Sequence, residues 1–305
     1  MTAALGSNMV AHYDAHHLCT AGSFSSATIY YPTTGKSSLL PSVVLVGGWL
    51  CGEQVLAAWA PFFASHGIVA MTIGTPSPHR DMPPERSRAL LDGSKALQQE
   101  NSRKESKLFG RLDVFRRAVM GYSLGGGGAQ LAALADPTLK CAIALAPHSG
   151  DTASFPVNLT PSVPMLFIVG DADKDASARA FSWPHYNATG APKLFFEVAG
   201  GDHFVVTGPS GGNGKDFEKD RELEFFCNWM CAMCCGCAPC PSGFGTGPSG
   251  LAQDNASLGA IGGIVLAWLQ LFLQGDESAR SQLLHRPGIA SRFESNGIHS
   301  EEMRR

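Results

Sequence analysis

Short, uninterrupted apolar runs recur along this chain, and segments long enough for a helix or a loop separate them. Such runs are typical of strands buried on both faces of a parallel sheet. The alternation predicts an α/β fold, with a mostly parallel, doubly wound sheet flanked by helices. The predicted strands lie at about residues 27–32, 43–46, 68–73, 115–120, 141–146, 165–169 and 194–198, and helices are predicted over 53–66 and 84–97.

A G-x-S-x-G motif at residues 121–125 lies between one of these strands and a segment of small, helix-forming residues. In that context the motif holds a serine on a strained corner at the carboxyl end of a strand, with a helix N-terminus behind it. Gly121 and Gly125 leave room where a Cβ atom would strike neighbouring backbone. Ser123 is therefore predicted to be a nucleophile. The alternative is a glycine-rich turn whose serine only caps the helix.

A serine hydroxyl is a weak nucleophile until an imidazole accepts its proton, and that imidazole needs a carboxylate to fix its tautomer. In folds with this serine turn, the acid and the histidine follow on loops after later strands. His203 lies just after the strand predicted at 194–198. The candidate acids follow the strand predicted at 165–169, and the residues alone do not separate Asp171, Asp173 and Asp175. Among the other histidines, His148 is placed to line the cleft and His185 is expected to be structural.

Acyl transfer also requires an oxyanion hole, which is built from N–H groups aimed at the developing charge. One donor is the backbone N–H that follows the nucleophile, which belongs to Leu124. The second donor comes from a loop after an early strand, and the glycine-containing loop at residues 47–50 occupies that place. Trp49 is predicted to be this second donor.

Composition narrows the class of protein further. A net charge of -3, with no cluster of lysine and arginine, argues against nucleic-acid binding. The apolar run at residues 258–273 is interrupted by Gln270 and is too short for a membrane span, so we expect a buried helix there. The first thirty residues do not have the pattern of a signal peptide, which favours a cytoplasmic location or a leader already removed.

The predicted domain organisation is a loose N-terminal tail at residues 1–22, followed by a single domain at 23–305 with a cysteine-rich insertion at about 208–255. Close cysteine spacing in this insertion suits tetrahedral zinc. The neighbouring aromatic residues equally suit lipid attachment at a membrane surface, and a segment without a role is the third alternative. The cysteines concerned are Cys227, Cys231, Cys234, Cys237 and Cys240.

Several stretches of the chain together resemble the cutinase-like polyester hydrolases of the α/β-hydrolase superfamily, a group that contains poly(ethylene terephthalate) hydrolases. Dienelactone hydrolases and chlorophyllases are more distant relatives. The resemblance runs from about residue 23 to 203 and resumes at 258–284. It is carried by residues 28–33, 64–69, 109–113, 119–128, 145–147 and 201–204.

The resemblance implies a carboxylic-ester hydrolase that needs no cofactor and acts on small or polymeric ester substrates. It assigns Ser123 as nucleophile, His203 as base and Asp173 as acid, with Asp171 as the alternative acid. It also assigns the oxyanion hole to Trp49 and Leu124.

The resemblance places Leu50, Tyr122, His148, Asp175 and Phe204 around the substrate. The family has a tryptophan at the position of His148 and an apolar residue at that of Asp175. Both changes make the cleft more polar, so we expect weaker activity on aromatic polyesters. The alternatives are an intracellular esterase for small esters, of dienelactone-hydrolase or chlorophyllase type, and a non-catalytic binding protein with a hydrolase fold.

Overall fold

The computed structural model describes residues 3–34, 39–150, 160–190, 192–212 and 255–298. The strands in these residues are β1 (Val10–Asp14), β2 (Ser26–Pro32), β3 (Leu40–Val46), β4 (Val69–Gly74), β5 (Leu112–Tyr122), β6 (Cys141–Leu145), β7 (Met165–Gly170), β8 (Lys193–Val198) and β9 (Ala290–Asn296). The α-helices are α1 (Trp59–Ser65), α2 (Pro83–Gln99), α3 (Leu124–Ala135), α4 (Trp183–Ala188), α5 (Asn255–Leu269) and α6 (Arg280–Leu284).

All of these strands belong to one nine-stranded sheet with the order β1-β2-β4-β3-β5-β6-β7-β8-β9. The central neighbours from β4 to β8 pair in parallel, whereas β1 with β2, β2 with β4 and β8 with β9 pair antiparallel. This arrangement confirms the predicted mostly parallel sheet. Because β5, β7 and β8 run in the same direction, the loops that follow them meet at one edge of the sheet.

Two hydrophobic cores cover the two faces of the sheet, and β3 shows how alternate residues divide between them. Val43 and Leu45 pack into the core that contains Trp59 and Trp268. Val44 and Val46 pack into the opposite core, Val44 against α2 and Val46 against the first turn of α3. Every residue of β3 is buried, as expected of a strand that is covered by helices on both faces.

The prediction of a loose tail is wrong for residues 10–18. Strand β1 pairs with β2 along its whole length, and Leu18 is buried in the core beneath it. The Tyr13 hydroxyl donates to Oε2 of Glu100 at 2.7 Å. The segment was missed because a short edge strand with one solvated face has a weak apolar pattern.

The helix predicted over residues 53–66 is divided into a 3-10 turn at Glu53–Leu56 and α1. The helix predicted over 84–97 lies within α2. The apolar run at 258–273 forms most of α5 and the π-helical turn Gln270–Gln274, and its leucines and Trp268 are buried or half-buried. Within the described residues, no helix has the length and apolarity needed to cross a membrane.

Candidate active site

Ser123 occupies the corner between β5 and α3. Its backbone has a φ of 56° and a ψ of −121°, a conformation that costs energy for a residue with a side chain and is typical of a strained serine turn. The turn is tight enough that a Cβ atom on Gly121 would overlap the carbonyl of Gly125. The Ser123 N–H donates to the Leu145 carbonyl at 2.9 Å, which ties the corner to the end of β6.

His203 and Asp173 form a buried hydrogen-bonded pair on the loops that follow β8 and β7. Nδ1 of His203 lies 2.7 Å from Oδ2 of Asp173. The other carboxylate oxygen, Oδ1, accepts the N–H groups of Asp175 at 2.9 Å and Ala176 at 2.8 Å. Asp171 instead accepts the N–H of Gly200 at 2.6 Å. Of the three acids that the sequence left open, Asp173 is therefore the one paired with the histidine.

The imidazole of His203 lies beside the residue that precedes Ser123. The ring centroids of Tyr122 and His203 are 4.9 Å apart, and the Tyr122 side chain is fully buried. Tyr122 therefore supports the imidazole from within the core. The prediction that its side chain contacts the substrate does not fit this position, because it exposes no surface to the cleft.

The loop after β3 passes directly against the serine. A Cβ atom on Gly48 would lie 2.5 Å from Cβ of Ser123 and 3.1 Å from its Oγ, so only a glycine permits this approach. Trp49 follows, with 36% of its surface exposed and its indole N–H donating to the His79 carbonyl at 3.1 Å. Leu124 is the first residue of α3. Both N–H groups predicted for the oxyanion hole thus belong to segments that adjoin Ser123.

His148 lies at the position where the resembling family has a tryptophan. Its ring stacks on Phe181 with a centroid distance of 4.1 Å, and its Nδ1 accepts the Gly150 N–H at 2.9 Å. Burial, together with the proximity of His203, lowers the pKa of His148. At neutral pH, a flat and uncharged imidazole therefore lies where the family has a tryptophan.

Phe181 was missed in the sequence. It belongs to a π-helical turn at Ala178–Ser182, and no strand or helix periodicity marks such a turn.

Of the remaining residues predicted to contact the substrate, Asp175 and Phe204 lie beside the acid and base, and Leu50 lies on the loop after β3. Asp175 is exposed, and the ring of Phe204 lies edge-on to His203 with a centroid distance of 5.9 Å. Leu50 is buried and has a φ of 57°.

Asp173, Asp175 and His203 offer ligand atoms within 4.8 Å of one another. The hydrogen bonds of Asp173 already engage both of its oxygens, so this cluster fits an acid–base pair better than a metal site. The predicted cysteine ligands lie outside the described residues.

A second serine–histidine contact lies nearby, between Oγ of Ser149 and Nε2 of His185, at 3.4 Å. Both side chains are buried, and burial lowers the pKa of His185. Ser149 follows β6 in a loop and is not at a strand-to-helix corner. The carboxylate of Asp173 contacts His203 and not His185. The elements of a hydrolytic site therefore converge on Ser123, whereas the Ser149 contact has the character of a buried structural hydrogen bond.

The chain is similar to one protein-family model and to several named proteins. A family model described as PET hydrolase-like matches residues 1–221. A bis(hydroxyethyl) terephthalate hydrolase of Streptomyces coelicolor is 34% identical over 183 residues, or 59% of this chain and 56% of that protein. Cutinase 1 of Thermobifida cellulosilytica is 34% identical over 199 residues, or 64% and 72%. Lipase 1 of Moraxella sp. is 30% identical over 186 residues, or 61% and 55%.

The chain thus spans between about half and three quarters of the length of these relatives. The matches confirm the resemblance inferred from the sequence motifs.

Proposed function

The chain belongs to the PET hydrolase-like family of the α/β-hydrolase superfamily, and from that membership we propose that it is a serine carboxylic-ester hydrolase. One observation carries the proposal above the others. The buried pair of His203 and Asp173, joined at 2.7 Å, lies beside the strained corner that holds Ser123. A nucleophile, a base and an acid on three separate loops of one sheet edge have the chemistry of acyl transfer.

In the proposed reaction, Oγ of Ser123 attacks the ester carbonyl carbon while Nε2 of His203 accepts the hydroxyl proton. Asp173 holds Nδ1–H and stabilises the imidazolium that forms. The N–H groups of Trp49 and Leu124 donate to the oxyanion of the tetrahedral intermediate, an interaction that contributes about 3 to 4 kcal/mol per donor in enzymes of this type. His203 then protonates the departing alcohol, and water releases the acid from Ser123 by the same steps.

The substrate class we propose is a carboxylic ester with a compact or flat acyl group. The stacked rings of His148 and Phe181 offer a flat wall beside the site, and the exposed carboxylate of Asp175, next to His203, makes the rim polar. Three of the relatives are named as a bis(hydroxyethyl) terephthalate hydrolase, a cutinase and a lipase, which supports an ester as the substrate class. The polar rim favours soluble esters over an aromatic polyester surface.

The test is hydrolysis of p-nitrophenyl acetate and butyrate by the native protein, by Ser123→Ala and by Ser149→Ala. We expect Ser123→Ala to lose at least about 10⁴-fold in kcat, and Ser149→Ala to stay within a few-fold of the native protein. Ser149 is the matched control because it is a buried serine that also contacts a histidine. Equal rates for the native protein and Ser123→Ala would exclude the proposed nucleophile.

Substrate choice is tested separately. The native protein is given short-chain p-nitrophenyl esters, bis(hydroxyethyl) terephthalate and polyester film, and product release is measured. We expect hydrolysis of the soluble esters to exceed release from the film. A preference for the film would contradict the proposed effect of the polar rim.

A further inference from the structure

Arg86 is a fully buried cation in the first turn of α2, and its guanidinium is bound by three main-chain carbonyls. Nη1 donates to Gly47 at 2.8 Å, Nη2 donates to Pro78 at 2.9 Å and Nε donates to Asp81 at 3.0 Å. Burial lowers the pKa of Arg86 to about 10, so the group remains charged at neutral pH. Burying a charge costs several kcal/mol unless polar groups surround it, and the three carbonyls provide that environment.

Two of these three carbonyls control the loop that carries Trp49. The Gly47 carbonyl belongs to the peptide group immediately before the Gly48–Trp49 peptide. The Pro78 carbonyl accepts the N–H of Leu50 at 3.0 Å, and that N–H belongs to the peptide group immediately after it. The guanidinium therefore holds one of the two peptide groups that flank the N–H of Trp49 directly, and the other through the carbonyl of Pro78.

The packing around Arg86 leaves little freedom for this arrangement. A Cβ atom on Gly128 would lie 2.9 Å from Cβ of Arg86, so α3 presses directly against the residue. A Cβ atom on Gly125 would overlap the same Gly47 carbonyl that Arg86 binds. The 47–50 loop is thus held between the guanidinium of Arg86 on one side and the first turn of α3 on the other.

We propose that Arg86 is a positioning residue for the oxyanion hole, which fixes the 47–50 loop so that the Trp49 N–H is aimed at the charge developing on the substrate. This inference rests on the proposed esterase function. Arginine suits the task because its planar fork presents several donors in fixed directions, whereas the ammonium of lysine is a single point charge on a flexible stem. Arg86 contacts neither substrate nor triad in this role.

The test compares Arg86→Lys and Arg86→Met with Arg111→Met. Arg111 is the matched control because it also donates to two main-chain carbonyls, those of Pro32 and Lys107, at the opposite end of β5. We expect both Arg86 variants to lose about 10- to 100-fold in kcat, somewhat less than the loss of an entire oxyanion donor. KM should change by less than about threefold, because ester ground states make little use of the oxyanion hole.

A second readout separates this role from a general loss of stability. A trifluoromethyl ketone forms a tetrahedral oxyanion on the serine, so its affinity should fall in parallel with kcat in both Arg86 variants. The midpoint of the pH–rate profile should stay that of the native protein, because His203 and Asp173 are untouched. Circular dichroism identifies which variants are folded at the assay temperature, and Arg86→Lys decides the matter if Arg86→Met does not fold.

Folded Arg86 variants with kcat and ketone affinity equal to those of Arg111→Met would overturn the inference while leaving the esterase function intact. If the proposed esterase function itself were wrong, the native protein and Ser123→Ala would instead hydrolyse the ester at equal rates.

Discussion

Nδ1 of His203 lies 2.7 Å from Oδ2 of Asp173, and both side chains are buried where the loops after β8 and β7 meet. The distance is that of a charge-assisted hydrogen bond. It assigns the proton of the neutral imidazole to Nδ1, which leaves Nε2 as the acceptor. The direction of this hydrogen bond therefore determines which nitrogen can act as the base.

Replacing Asp173 with asparagine should lower kcat by about 10³- to 10⁴-fold, because an amide at this place stabilises the wrong tautomer of the imidazole. The change is nearly isosteric, so the protein should remain folded. Asp171→Asn is the matched control, since Asp171 accepts a backbone N–H and does not contact the histidine. Steady-state hydrolysis of p-nitrophenyl butyrate measures both. A larger loss for Asp171→Asn would reverse the assignment of the acid.

Gly121→Ala should destabilise the protein by at least about 3 kcal/mol, because the new methyl group would overlap the backbone carbonyl of Gly125. A backbone atom in the tight serine turn cannot move aside as a flexible side chain does. Gly288→Ala serves as the control because no heavy atom lies within 4 Å of its added Cβ, and its effect should stay within about 0.5 kcal/mol. Urea unfolding followed by fluorescence gives both values, and similar stabilities of the two variants would refute the steric argument.

Glu100 connects the N-terminal segment to the end of α2, and its removal should be costly. Its side chain is buried and accepts hydrogen bonds from Tyr13, His17, Arg103 and Ser106. Burial alone would raise the pKa of Glu100, but the hydrogen bonds from these four residues lower it to about 2. The folded state thus favours the ionised carboxylate, and its contribution to stability is present above the unfolded pKa of about 4.5 and lost as the pH falls towards 2.

Glu100→Gln should therefore lower the free energy of unfolding at pH 7 by about 3 kcal/mol, since it leaves Arg103 without its buried partner. It should also flatten the dependence of stability on pH between about 4.5 and 2. Glu105→Gln, at an exposed position in the following loop, should change stability by less than about 0.5 kcal/mol. Denaturant unfolding at a series of pH values measures these effects. An unchanged acid profile in Glu100→Gln would contradict the prediction.

Three histidines should make the free energy of unfolding depend on pH in a second range, between about pH 7 and 5. Burial is the main cause that lowers the pKa of His66, His148 and His185, so the unfolded chain binds more protons than the folded protein below the unfolded pKa of about 6.5. The free energy of unfolding should consequently fall as the pH decreases from about 7 to 5. His185→Gln removes one of these groups and should reduce the slope by up to about 1.4 kcal/mol per pH unit. An equal slope in the variant and the native protein would show that His185 does not contribute.

The sequence indicated much of the sheet because its central strands are apolar on both faces. Continuous apolar runs such as 43–46 and 165–169 are typical of strands in the centre of a parallel sheet, where both faces are covered. The edge strands β1 and β9 were missed, since their exposed positions carry polar residues, and only pairing with a neighbour makes them strands. Phe181 was missed for a similar reason, because a π-helical turn has no characteristic periodicity.

Local features of the sequence were enough to predict that a serine turn, a later acid loop and a later histidine loop follow three strands in a fixed order, because the motif and the strand ends are read from neighbouring residues. The choice between Asp171 and Asp173, which are two residues apart on the same loop, required the folded arrangement, in which Asp173 alone of the two contacts His203. Tertiary structure alone also brought Arg86 to the Gly47 and Pro78 carbonyls. These choices depend on distances between segments far apart in the chain, and such distances are set by how helices and loops pack on the sheet.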